Sequence, residues 1–106
     1  NNADVDVVGG ILLTGIRQST VDEAIRLKVA CGCDVTITSA TGGVHNPGNT
    51  SHGSGHKIDL RLNSGLTNHI TSYERLPNRS DGALMYRSPS GALYARESRH
   101  WDVVVP

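Results

Sequence analysis

The stretch HKIDLRL, residues 56–62, alternates apolar and polar side chains with the two-residue period of a β-strand. Its apolar positions are Ile58, Leu60 and Leu62, and its charged positions are Lys57, Asp59 and Arg61. Because successive side chains of a strand point to opposite faces, the aliphatic face is expected to pack on a core. The stretch therefore predicts a half-buried strand whose Asp59 face looks into a cleft.

Three other segments show helix or strand signals. Thr20 and Glu23 form a capping-box pattern, and the apolar residues that follow repeat at helical spacing until Gly32 can end the helix. The segment CDVTITS, residues 33–39, alternates like a half-buried strand, and RHWDVVV, residues 99–105, is rich in β-branched residues. On the last segment the core face takes Trp101, Val103 and Val105, which leaves His100 and Asp102 on the other face.

Two shorter elements complete the sequence-based fold. Residues 63–73 can form a short helix that is opened by Asn63 or Ser64. After a loop at residues 78–82, ALMYRSPSGALYA at residues 83–95 predicts a hairpin around its Ser-Pro-Ser-Gly turn. The fold class that follows is α+β, with a small antiparallel sheet, one main helix packed on it and a possible second short helix.

Length and composition limit the classes of function. The 106 residues favour a single domain over 1–106, with residues 1–10 as a flexible polar lead-in. Only 37% of the chain is hydrophobic and Phe is absent, so the core must be thin, and a bound metal could help to hold it together. Lys plus Arg balance Asp plus Glu at ten each, without a run of like charge, and no apolar run is long enough for a membrane. We expect a monomer that neither binds nucleic acid nor spans a membrane.

The two cysteines, Cys31 and Cys33, are separated by a single residue. This spacing makes a mutual disulfide hard to close, because both Cα and Cβ pairs must reach a narrow range of distances within three residues. The C-x-x-C spacing typical of redox or zinc sites is absent. We therefore expect two half-buried, unpaired cysteines at a helix-to-strand junction.

Candidate metal ligands cluster in TSHGSGHKID, residues 50–59. His52 lies on a long Gly-, Asn- and Ser-rich loop from residue 40 to 55 that leads into the strand, and it can fold back over the Asp59 face. A histidine and an aspartate leave a tetrahedral zinc site one protein ligand short, if the fourth position is kept for water. The remaining histidines are His45, His56, His69 and His100. His100 is the favoured third ligand because it lies on the polar face of the terminal strand, and Glu97 precedes it by three residues, within reach of a bound water.

Two motifs carry a resemblance to a known family. Thr50, His52, Gly55 and Asp59 match [Ser/Thr]-x-His-x-x-Gly-x-x-x-Asp, and Glu97, His100 and Trp101 match a downstream Glu-x-x-His-Trp. The ordered pair resembles the zinc D-Ala-D-Ala carboxypeptidase and L-alanyl-D-glutamate endopeptidase family, which includes phage endolysins, in the superfamily shared with the hedgehog signalling domain. The resemblance implies that His52, Asp59 and His100 bind Zn²⁺ in a cleft on the sheet and that Glu97 is the general base.

The chain departs from the family pattern at two places. Lys57 stands where the family has a small residue, so it either affects substrate choice or extends outward to solvent. Gly42 falls where many members carry an arginine that steadies the substrate carbonyl. His45, Arg87 and Arg99 remain open as substitutes for that arginine. Asp102 is expected to orient a ligating imidazole.

The resemblance implies a peptidoglycan peptide as substrate, and hence an extracytoplasmic or phage-associated site of action on the bacterial cell wall. The absence of an initiator Met and of a signal-peptide pattern suggests a piece of a longer protein. Two other hypotheses stay open. A zinc-containing binding module would keep the metal without turnover. In a structural tail or coat component the histidine-rich loop would serve neither metal binding nor catalysis.

Overall fold

The computed structural model describes residues 6–7, 18–40 and 57–106. The elements in these ranges are β1 (Asp6–Val7), α1 (Gln18–Cys31), β2 (Thr36–Ala40), β3 (Lys57–Arg61), α2 (Ser64–Ile70), β4 (Glu74–Leu76), β5 (Leu84–Arg87), β6 (Leu93–Arg96) and β7 (His100–Val104). The glycine-rich loop predicted from residue 40 to 55 lies outside the described residues, except for Ala40 at the end of β2. Neither described helix is long and apolar enough to cross a membrane.

The described strands form one sheet in the order β1-β2-β3-β7-β6-β5-β4. Neighbouring strands from β2 to β4 in this order are antiparallel, and β1 pairs with β2 in parallel over two residues. The predicted hairpin is formed by β5 and β6, and the predicted second helix by α2. The α+β class with an antiparallel sheet is therefore confirmed.

The core lies on one face of the central β3–β7 pair. Its buried members include Ile58 and Leu60 of β3, Trp101 and Val103 of β7, Ala24 and Leu27 of α1, and Leu66 and Ile70 of α2. The apolar faces predicted for both strands are therefore confirmed. Because side chains alternate along each strand, the charged residues of β3 and β7 are gathered on the opposite face.

The beginning of α1 differs from the prediction. The helix already includes Gln18, so Thr20 and Glu23 lie inside it and are both buried, rather than forming a capping box. Glu23 instead accepts hydrogen bonds from the hydroxyl of Ser90 and, at 2.5 Å, from that of Tyr94. Tertiary partners for a buried carboxylate have taken precedence over the local capping pattern.

The expectation of unpaired cysteines is wrong. Cys31 and Cys33 form a disulfide with a Cα–Cα distance of 5.2 Å. The reason lies in the residue between them, Gly32, which ends α1 with φ 63° and donates its N–H to the carbonyl of Lys28 at 3.0 Å. A left-handed glycine reverses the chain abruptly, and this brings the two Cα atoms into the normal range for a disulfide.

Two strands lie outside what the sequence predicts. β1 is only two residues long and falls within the segment expected to be a lead-in. β4, Glu74–Leu76, has two exposed charged residues and pairs only with β5 at the edge of the described sheet. Neither strand has the alternation of apolar and polar residues from which a strand is predicted.

The start of α2 resolves a choice that the sequence left open. Asn63, not Ser64, is the N-cap: its Oδ1 accepts the N–H of Leu66 at 2.8 Å. Its Nδ2 also donates to the carbonyl of Asp34 at 3.0 Å, so one amide ties α2 to the segment that enters β2. Asn63 thus joins two elements that contribute to the same core.

We expect Asn63→Ala to lower the free energy of unfolding by about 1 to 3 kcal/mol, because it removes an N-cap and a second hydrogen bond. Ser64→Ala is the matched control and should change it by less than about 0.5 kcal/mol, since Ser64 is exposed. Urea denaturation measures both values. Equal effects of the two substitutions would contradict the assignment of the cap.

Candidate metal centre

Three of the predicted site residues meet on the charged face of the sheet. Nε2 of His100 lies 2.7 Å from Oε1 of Glu97 and 3.5 Å from Oδ2 of Asp59. The register explains the second distance: His100 pairs with Arg61 of β3, so Asp59, two residues away on the same face, is its diagonal neighbour. Residues far apart in sequence therefore surround one imidazole.

The position of Glu97 follows from the turn between β6 and β7. Its backbone N–H donates to the carbonyl of His100 at 3.0 Å, so only Ser98 and Arg99 lie between the two bonded residues. A connection this short places the side chains that flank it side by side. The three-residue spacing in the sequence thus becomes a direct contact between carboxylate and imidazole.

Asp59 is a carboxylate in an unfavourable environment. Its side chain is 14% exposed, and Oδ1 has no hydrogen-bond partner among the described residues. Burial raises the pKa of Asp59 to about 6; the charges of His100 and Lys57 oppose this rise, and the neighbouring Asp102 adds to it. A buried, unpaired carboxylate oxygen is stabilised by a cation, so Asp59 suits a metal ligand.

Asp102 is held by two cations. Its side chain is 4% exposed and lies between Nη1 of Arg79, at 3.1 Å from Oδ2, and Nζ of Lys57, at 3.2 Å from Oδ1. The Lys57 contact is an ion pair without hydrogen-bond geometry, since Oδ1 lacks a hydrogen-bond partner in the described part of the chain. Lys57 therefore turns inward to Asp102 rather than outward to solvent. Among the described residues Asp102 has these two cations as partners, and His52, one of the imidazoles it was expected to orient, lies outside those residues.

Arg79 is the site residue that the sequence did not indicate. Its Nη2 donates to Oε2 of Glu97 at 2.6 Å, and its Nη1 donates to Oδ2 of Asp102 at 3.1 Å. Its Nε and Nη2 also donate to the two oxygens of Asp81, at 3.0 and 2.7 Å. Hydrogen bonds from Arg79 lower the pKa of Glu97 and lower that of Asp81 to about 2. The only sequence signal is the Arg-Ser-Asp run in a loop, which is typical of many surface turns.

The other candidates that the structure describes do not join this cluster. His69, in α2, contacts the ring of Tyr73 edge-on at 5.2 Å, and Arg87 pairs with Glu74 at 3.2 Å on β4. Arg99 is exposed in the turn before β7. His45, His52 and His56 lie outside the described residues, as does Gly42.

A metal site is not complete within the described residues. Alone, they contain no group of three or more His, Cys, Asp or Glu side chains arranged to hold a metal ion. They supply Asp59 and His100, two of the three ligands inferred from the motifs, and the third, His52, is not among them. The observed donors are an imidazole nitrogen and a buried carboxylate oxygen, both of which zinc accepts.

A polar cleft of about 440 Å³ opens beside Glu97. It is lined by Arg79, Asp81, Gly82, Ala83, Arg96, Glu97 and Ser98. A larger apolar groove of about 680 Å³ runs between α1 and the β5–β6 turn and shares none of these residues. The cleft, not the larger groove, is therefore the space next to the candidate base.

Comparison with known proteins identifies no relative. No protein-family model, curated protein or solved structure matches this chain. The functional argument therefore depends on the two sequence motifs and on the contacts of Asp59, Glu97 and His100.

The raised pKa of Asp59 predicts a pH dependence of stability in metal-free protein. The pKa of Asp59 is about 6 in the folded state and 3.8 in an unfolded chain, so the folded state binds the proton more tightly. The protonated carboxyl therefore adds to the free energy of unfolding. This stabilisation is fully present below pH 4 and is lost as pH rises through 6. The difference corresponds to at most about 3 kcal/mol and to less where solvent screens the carboxylate.

We expect Asp59→Asn to reduce the loss of unfolding free energy between pH 4 and pH 7, measured by urea denaturation after chelation. Asp34→Asn removes an exposed carboxylate and should leave the loss unchanged. An unaltered loss in Asp59→Asn would show that Asp59 ionises normally in the folded protein.

Proposed function

We propose that this chain is a zinc-dependent peptidoglycan peptidase that hydrolyses stem-peptide or cross-link amide bonds. His52, Asp59 and His100 are the zinc ligands in this proposal, and Glu97 is the general base. One observation carries it: the imidazole of His100 contacts Glu97 at 2.7 Å and lies 3.5 Å from Asp59. Asp59 from the first motif thus lies close to Glu97 and His100 from the second.

The environment of Asp59 supports a cation at this position. Burial raises the pKa of Asp59 despite the nearby charges of His100 and Lys57, and its Oδ1 has no hydrogen-bond partner among the described residues, so a bound cation would stabilise the carboxylate. Lys57 acts on Asp59 through its charge, but the direct ion-pair contacts of Lys57 and Arg79 are with Asp102. Bound zinc would supply Lewis acidity, which polarises the scissile carbonyl and lowers the pKa of an attacking water.

The role of Glu97 follows from how its two oxygens are used. Arg79 holds Oε2 and keeps the carboxylate ionised, so it is ready to accept a proton. Oε1 is the oxygen on the imidazole side and is the atom that takes the proton from water and returns it to the leaving amine. The cleft beside Glu97 is open, which suits a polymeric substrate such as the bacterial cell wall; its lining includes Glu97 but neither Asp59 nor His100.

A zinc-containing binding module of the same fold is the second candidate. The observation that favours it is the lowered pKa of Glu97, because a carboxylate stabilised by Arg79 is a weaker base. In this function the site recognises a cell-wall peptide without turnover. Hydrolysis of purified peptidoglycan with and without a chelator separates the two candidates.

We expect His52→Ala, Asp59→Ala and His100→Ala each to lose zinc and to unfold at lower temperature than the parent. Binding to a site that exists only in the folded state adds to stability, so its loss removes that contribution. Metal content by mass spectrometry after dialysis, with a thermal melt, measures both effects. His69→Ala should retain the metal. Full zinc occupancy in any of the three would remove that residue from the ligand set.

We expect Glu97→Gln to keep zinc and fold while its rate of peptidoglycan cleavage falls by about 10²- to 10⁴-fold, the usual contribution of a general base. Glutamine preserves the shape and a hydrogen-bonding end but cannot accept a proton near neutral pH. A variant that cleaves as fast as the parent would exclude Glu97 as the base. A variant that loses zinc would identify Glu97 as a ligand.

A further inference from the structure

We infer that Arg79 is a positioning residue that keeps Glu97 beside the metal position and prevents it from becoming a ligand. This inference rests on the proposed zinc site. In this inference Arg79 determines whether the carboxylate of Glu97 acts as a proton acceptor or as a metal ligand.

The need for such a device follows from distance. Oε1 of Glu97 lies 2.7 Å from Nε2 of His100, closer than the proposed ligand Asp59 at 3.5 Å. Zinc binds glutamate oxygens readily, so a carboxylate this close to a ligating imidazole competes for the same ion. Glu97 can act as a base only if another interaction prevents its carboxylate from binding the metal.

Arg79 provides that restraint through the other oxygen. Its Nη2 donates to Oε2 of Glu97 at 2.6 Å, which fixes the orientation of the carboxylate. The positive guanidinium also offsets the charge that would draw Glu97 towards a cation. Rotation of Glu97 onto the metal would have to break a short charge-assisted hydrogen bond.

Arg79 cannot follow Glu97, because its own position is fixed. Two bonds to Asp81 and one to the buried Asp102 hold its planar guanidinium. Its backbone is fixed as well: its N–H donates to the carbonyl of Ala83 at 2.9 Å, and its carbonyl accepts from Gly82 at 2.8 Å. Arg79 is therefore held through both its side chain and its backbone.

Asp102, in β7, connects Arg79 to the sheet. It faces Asp59 in the β3–β7 register, and Lys57 pairs with its other oxygen at 3.2 Å. The side chain that holds Arg79 thus belongs to the same pair of strands that supplies Asp59 and His100. Glu97 is consequently positioned relative to the proposed ligands through Arg79 and Asp102.

The test compares Arg79→Met, Glu97→Gln and the double variant, each loaded with Co²⁺ as a spectroscopic probe and then with Zn²⁺. In Arg79→Met we expect a Co²⁺ absorption spectrum changed by an added carboxylate ligand. Zinc affinity should rise by about 10- to 100-fold, the scale of outer-shell effects on metal sites, and peptidoglycan cleavage should fall as it does in Glu97→Gln. The double variant should recover the parent spectrum and affinity, because the ligating carboxylate is gone.

Arg26→Met is the matched control. Arg26 pairs with Glu23 on α1 at 3.6 Å and has no part in the site, so its spectrum and affinity should equal those of the parent. If Arg79→Met does not fold, Arg79→Lys is used, since lysine keeps the charge but not the fork that holds several carboxylates. The same change of spectrum is expected from it.

An unchanged Co²⁺ spectrum with unchanged or weaker zinc affinity in the Arg79 variant would overturn the inference, leaving Arg79 a structural residue. A parent that binds neither metal would overturn the proposed zinc site and the inference with it. A parent that binds metal without cleaving peptidoglycan would remove only the catalytic proposal. In that case the Co²⁺ spectra still decide whether Arg79 holds Glu97 off the metal.

Discussion

The antiparallel pairing of β3 with β7 is the constraint on which the structure depends. Its register puts Leu60 opposite Trp101 and Asp59 opposite Asp102. One face of the pair therefore fills the core while the other concentrates ionisable groups. A slip of one residue would exchange the faces and bury charge where the helices pack. The hydrophobic requirement of the core thus also fixes the geometry of the candidate site.

That concentration of charge has a cost, which local compensation reduces. Burying a carboxylate without a partner is expensive, and the charged face of β3 and β7 carries two, Asp59 and Asp102. Asp102 forms ion pairs with Lys57 and Arg79, whereas the ion-pair partner of Asp59 among the described residues is the imidazole of His100; one oxygen of each aspartate lacks a hydrogen-bond partner there. The contrast between two facing aspartates, one paired with two permanent cations and one with an imidazole, is the strongest physical indication of where a ligand belongs.

The sequence predicted what depends on periodicity. The alternation of apolar and polar residues identified β3 and β7 and the face of each that is buried. The three-residue spacing of Glu97 and His100 predicted that they lie close together, and the short turn between β6 and β7 brings them into contact. Arg79 was not predictable in this way, because its role depends on three carboxylates brought from different segments. The Cys31–Cys33 disulfide was missed because the conformation of Gly32 was not considered together with the spacing of the cysteines.

Local capping signals were the least reliable part of the prediction. The pattern at Thr20 resembled a helix start, yet Glu23 is used by Tyr94 and Ser90 from the β-hairpin. Asn63 fulfilled the same type of signal, since its partners lie within reach of the turn itself and of the segment entering β2. Local patterns held where tertiary contacts agreed with them and failed where a buried carboxylate needed partners elsewhere.

The edge strand β4 has a consequence for the behaviour of this molecule in concentrated solution. An open strand edge offers unpaired backbone groups to any other strand and can seed intermolecular sheets. β4 is three residues long, exposes Glu74 and Arg75, and is followed at once by Pro77, which has no N–H to donate. Charge, brevity and proline together discourage a neighbouring copy from extending the sheet at this edge. The β4 side thus resists aggregation through features that take no part in the candidate site.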